Sequence, residues 1–123
     1  MDRADFVDWI DQYERAWRTP GTEGLAQLFT SDATYLQSPY AEPVVGLDAI
    51  KAMWAAEREG PDELFTMTRE VVAIDDIAGV ARVEVRYGDP VTNEFRGLWI
   101  VRFDSTGRAM HFEEWPFWPG AVT

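Results

Sequence analysis

The spacing of apolar residues in this chain changes once, near residue 65, and that change limits the folds open to it. Before it, Phe6, Trp9, Ile10, Tyr13 and Trp17 recur at helical intervals, with Asp5, Asp8, Asp11, Gln12, Glu14 and Arg15 between them. Apolar residues three and four apart share one helix face, and Thr19-Pro20-Gly21 predicts where that helix stops. A short second helix is expected from about 23 to 29, with Leu25, Leu28 and Phe29 inward, and then a strand over 33–38 that ends at Pro39. Residues 40–43 read as a loop. Gly46-Leu47-Asp48 opens a third helix, with Ile50, Met53 and Trp54 on one side, Lys51, Glu57 and Arg58 on the other, and Gly60-Pro61 as its stop. From Phe65 onward the period falls to two, which predicts strands near 65–75, 79–88, 94–104 and 108–116. Asp75-Asp76, Gly88-Asp89-Pro90 and Asp104-Ser105-Thr106-Gly107 supply the turns. Helices first and a meander afterwards predict one α+β domain over 1–123, its helices on one face of a bent antiparallel sheet.

Charge and composition narrow the function. Eleven Lys and Arg against 22 Asp and Glu leave a net charge of −11. A chain this acidic repels phosphate backbones and anionic lipid, so neither nucleic acid nor a membrane is an expected partner. There is no Cys, which removes disulfides, thiol nucleophiles and thiolate metal sites, and His111 is the single His. The first fifteen residues are acidic rather than basic and apolar. No apolar run approaches the roughly 20 residues that span a bilayer, so a cytoplasmic protein is expected. Nothing in the residues calls for a metal or a cofactor, although Asp75-Asp76 offers a weak cation site at a turn.

The run Leu28-Phe29-Thr30-Ser31-Asp32-Ala33-Thr34-Tyr35, then Gly46-Leu47-Asp48-Ala49-Ile50, then Phe103 to Arg108 leading into Glu113-Glu114-Trp115, resembles the nuclear transport factor 2-like superfamily. Its small bacterial members with a SnoaL-like, polyketide-cyclase-like domain are the nearest in pattern. The resemblance implies a cone-shaped curved antiparallel sheet wrapped around a pocket, with three helices from the N-terminal half. Members of that fold include isomerases, cyclases, dehydratases, epoxide hydrolases and binding modules, so the fold alone does not fix a function.

Two chemistries of the superfamily can be laid on these residues. Ketosteroid isomerases carry a Tyr on the first helix, an Asp base on the first strand and a protonated Asp on a late strand. The matching positions here are Tyr13, Gln37 and Trp99, so two of the three roles are missing. Limonene-epoxide hydrolases match the spacing better, at Tyr35-Leu36-Gln37, Arg82-Val83-Glu84 and Glu114. That resemblance implies that Glu114 activates a water held by Tyr35 and Gln37, while Glu84, set by Arg82, protonates the leaving oxygen. Each departure from it replaces a side chain by one a methylene longer. An alternative reading of strand 79–88 needs no chemistry. Ala81, Val83, Val85 and Tyr87 alternate with Arg82, Glu84 and Arg86, as on a half-buried strand with a wetted outer face.

Tyr13, Trp17, Trp54, Trp99 and Val101 are expected to line an apolar pocket, polar at Tyr35, Gln37 and Glu114. Seven Phe, six Trp and four Tyr suit a flat apolar ligand, and also suit the plain need to fill a small cone. The expected partners are a small hydrophobic molecule and a second copy of the chain. Trp115 to Gly120 are too apolar to hang free and are expected to fold over an edge or onto a neighbour. Three readings stay open: a cofactor-free acid–base enzyme of the epoxide hydrolase, cyclase or isomerase type; a noncatalytic binding module; and a dimerisation or interaction domain.

Overall fold

The computed structural model describes residues 1–58 and 64–120. Its first helix, α1 (Arg3–Arg18), starts at a capping box in which Asp2 and Asp5 accept from each other's backbone N–H. It buries Phe6, Trp9, Ile10 and Tyr13, four of the five residues of the apolar stripe, and stops at Thr19. The second helix shrinks to one turn, α2 (Leu25–Leu28), and leads into β1 (Phe29–Leu36). A two-residue strand, β2 (Val44–Val45), follows the loop over 40–43, at residues for which the sequence pattern predicts no element, and α3 (Leu47–Glu57) begins after Gly46. The Gly60-Pro61 stop lies outside the described residues. The remaining strands are β3 (Phe65–Ile74), β4 (Ala78–Tyr87), β5 (Asn93–Phe103) and β6 (Ala109–Phe117).

All six strands form one curved, unclosed sheet in the order β2-β1-β6-β5-β4-β3. The meander is antiparallel, but β1 runs parallel to β6, so the sheet is mixed rather than purely antiparallel. The physical reason is the α3 crossover. The chain leaves β1, crosses through α3 to the far edge and returns strand by strand until β6 meets β1 from the same direction.

Register assigns a face to every strand residue, because residues directly opposite in a ladder point the same way. Val83, Val85, Gly97, Phe95, Trp99 and Phe112 share the face that carries the helices, and all are buried. Arg82, Leu98 and Trp115 share the other. Gly79 lets α1 lie close on this sheet, since a Cβ there would come within 2.5 Å of the Phe6 ring. Arg58 ties the end of α3 to the end of α1, donating to the carbonyls of Ala16, Trp17, Thr19 and Gly21. Those carbonyls belong to the last turn of α1 and the segment after it, where few intrahelical donors remain and Ala16 alone of the four is seen to accept from the cap, at Thr19 N–H.

Candidate functional site

Between α1, α3 and the concave sheet face lies an open cavity of about 610 Å³. Helix α1 contributes Tyr13, Glu14 and Trp17, β1 contributes Tyr35 and Gln37, and α3 contributes Met53 and Glu57. The sheet supplies Phe65, Val85, Phe95, Trp99 and Glu114, and Trp118 closes one side of the mouth from beyond β6. The Trp118 ring lies 5.1 Å from that of Phe95, so the C-terminal aromatic segment folds onto the cavity's rim.

At the inner end stand a half-buried carboxyl and two buried phenols. Tyr13 and Tyr35 are each 6% exposed and their hydroxyls are 2.5 Å apart. The Tyr13 ring packs against Trp99 at 4.5 Å and Trp54 at 4.9 Å, which fixes its position. The Glu114 carboxylate accepts from Trp99 Nε1 at 2.7 Å, across the register pair that joins β5 to β6. Burial pushes the Glu114 carboxyl up to about 7, against the pull of the Trp99 hydrogen bond. Burial also raises both phenols well above the ordinary tyrosine range, and the negative charge of Glu114 raises them further. The Trp54 indole N–H meets no partner in hydrogen-bond geometry, yet it is close enough to the Tyr35 oxygen to oppose that rise.

The expected site residues therefore separate into three places. Tyr35, Gln37, Glu114, Tyr13, Trp17 and Trp99 line the cavity together. Trp54 and Val101 are fully buried behind its wall as core rather than lining. Arg82 and Glu84 are on the opposite face of the sheet, because Val83 and Val85 take the inward positions of β4. There Glu84 pairs with Arg86 at 3.3 Å and Arg96 at 3.5 Å, ion pairs at the surface. The Arg82–Glu84–Glu114 arrangement of the epoxide-hydrolase resemblance does not form. Its water-holding pair does not form either: the Tyr35 hydroxyl bonds Tyr13, while Gln37 reaches 3.5 Å to Glu57 at the mouth.

Strand parity carried a signal for several lining residues beyond those expected. Phe95 shares its face with Trp99, Pro116 with Glu114, and Met67 with Val85. Glu57 and Met53 project from the α3 face toward the mouth, a direction set by helix packing rather than by spacing alone. Among the described residues no group of His, Cys, Asp and Glu is placed to hold a metal ion. Asp75 turns its carboxylate onto the backbone N–H groups of Ile77 and Ala78, which hold it below the usual carboxylate range.

The sequence profile of the SnoaL-like domain matches residues 10–112, most of the chain. The chain belongs to the SnoaL-like domain family. No curated protein sequence matches it. Among solved structures, a candidate ketosteroid isomerase from Kribbella flavida superposes with a TM-score of 0.69 at 21% identity, covering 98% of this chain and 79% of that one. A computationally designed 17-OHP binder gives a TM-score of 0.72 at 16% identity, covering 95% and 98%. The Mycobacterium tuberculosis protein RV0760c gives 0.75 at 14% identity, covering 93% and 92%. At these identities the likeness speaks for the SnoaL-like, nuclear transport factor 2-like fold and not for a shared reaction. Among the described residues, no helix is long and apolar enough to cross a membrane.

Proposed function

We propose that this SnoaL-like domain binds a small, mainly apolar molecule in the 610 Å³ cavity and carries out cofactor-free acid–base chemistry on it, of the isomerase or cyclase type. The observation that carries the proposal is Glu114, a half-buried carboxyl that desolvation pushes up to about 7 and that faces the same cavity as two phenols. A group with that value is about half ionised at neutral pH, so it can both take and return a proton. The paired hydroxyls of Tyr13 and Tyr35 stay protonated, one donating to the other, which leaves one O–H to donate toward an oxygen on which negative charge builds up. A carbonyl compound fits these parts. With a double bond β,γ to that carbonyl, Glu114 removes a proton from the carbon between the two groups, a tyrosine hydroxyl stabilises the dienolate oxygen, and Glu114 returns the proton at the γ-carbon as the double bond moves into conjugation; without the double bond the proton returns to the carbon it left.

The test follows deuterium uptake beside the carbonyl of a two-ring ketone such as 2-tetralone in heavy water. Uptake faster than in buffer alone and lost in Glu114→Gln supports the reading. Uptake at the buffer rate, or unaffected by the substitution, overturns it.

The same cavity without turnover is the second reading, favoured by the likeness to a designed binder of 17-OHP. Binding of the ketone with no deuterium uptake would establish it. A homodimer belongs to the proposal as well. Trp115 and Phe117 stay 38% and 50% exposed on the convex face, beside the half-buried Leu36, Leu98 and Ile100. Light scattering of the wild type and of Trp115→Lys tests that pairing. A dimeric mass that falls to monomer in the variant supports it, and a monomeric wild type refutes it.

A further inference from the structure

The cavity's charge is one-sided. Its acidic lining residues are Glu14, Glu57 and Glu114, and no Lys, Arg or His lines it among the described residues. Two cations that touch lining residues, Arg18 and Arg58, are already committed. Arg18 holds Glu14 at 2.9 Å and stands 3.8 Å over the Phe65 ring. Arg58 spends its donors on four backbone carbonyls. Among the described residues Glu57 has no comparable partner, since its contact is the neutral amide of Gln37 at 3.5 Å. Its field nevertheless reaches inward and acts on the Tyr35 hydroxyl together with that of Glu114. No Lys or Arg counts among the main influences on Tyr13, Tyr35 or Glu114.

Resting on the ligand cavity proposed above, we propose that its occupant is an organic cation: an apolar body that fills the space and a protonated amine held at the mouth by Glu57 and the aromatic rings there. Carboxylates set among aromatic faces are the pairing that recognises an ammonium group, because the ring quadrupole and the carboxylate attract the same charge. Arg18, held between Glu14 and the face of Phe65, is an example of that pairing already present at this rim. A ligand carrying a carboxylate or phosphate meets like charge at every ionised lining group, which disfavours it strongly. The Glu57 side chain is exposed on the last turn of α3, so it is available to an entering ligand.

Three probes of one shape separate charge from fit: 2-naphthylmethylamine, 2-naphthylmethanol and 2-naphthoate, titrated calorimetrically into the intact chain at neutral pH. The amine is expected to bind about tenfold more tightly than the alcohol, and the carboxylate more weakly than either. Glu57→Gln is expected to bring the amine down toward the alcohol while leaving the alcohol unchanged, with circular dichroism confirming the fold. Equal binding of amine and alcohol, or a carboxylate that binds as well as the amine, overturns the cation while leaving the cavity reading intact. Failure of all three probes to bind overturns both.

Discussion

Replacing Glu114 by Gln should make the protein more stable, and only at higher pH. The carboxyl titrates at about 7 in the folded chain, against ~4.3 for an unperturbed Glu. A raised folded value means that the folded chain binds more protons than the unfolded one between those limits, so stability falls as pH rises through them. At about 1.4 kcal/mol per pH unit the gap amounts to roughly 3 to 4 kcal/mol above about pH 7. The cavity opens to water, which screens part of this and leaves about 2 kcal/mol. Gln has nearly the same shape, and its amide oxygen still accepts from Trp99 Nε1. Urea denaturation of both proteins across pH reads the difference directly. The variant should gain about 2 kcal/mol near pH 8, and the gain should shrink toward about pH 5 and vanish below the unfolded value. A variant less stable near pH 8, or a difference that does not change with pH, would refute a desolvated carboxyl.

Other consequences follow from packing. Arg58→Ala removes the tie between the ends of α1 and α3 and should cost about 1–2 kcal/mol in chemical denaturation. Gly79→Ala pushes a methyl to within 2.5 Å of the Phe6 ring, so it should destabilise by about 1–3 kcal/mol despite the better strand propensity of Ala. Glu84→Gln alters surface ion pairs and Arg82→Ala trims an exposed side chain on the same face, so each should change stability by at most about 0.5 kcal/mol and leave ligand binding untouched. A large loss of binding in either would place β4 the other way round.

Much of the architecture was legible because the signals are periodic. The α1 stripe and the alternation of β4 follow from the free-energy gain of removing apolar surface from water on one face of each element, and they need no long-range information. The parallel meeting of β1 with β6 and the short β2 depend on where distant segments return, which local spacing does not encode. The site shows the same division. A spacing of two places Arg82 and Glu84 on one face, but which face is decided by where α1 and α3 pack. Matching them to another family's motif put them inside, whereas the plain alternation of Val83 and Val85 put them outside, where they are. Trp54 shares the helical stripe of a lining residue yet is the wall behind it, since α3 turns Met53 and Glu57 to the cavity instead. Glu114 was legible as a position but not as an environment. Its raised value comes from burial at the cavity's inner end, which only the assembled sheet creates.

The most direct test is a carboxyl-resolved NMR titration of Glu114, assigned with Glu114→Gln. The result expected is a midpoint at about 7. A midpoint at the ordinary ~4.3 would mean a solvated carboxylate, and the acid–base reading of the cavity would be wrong.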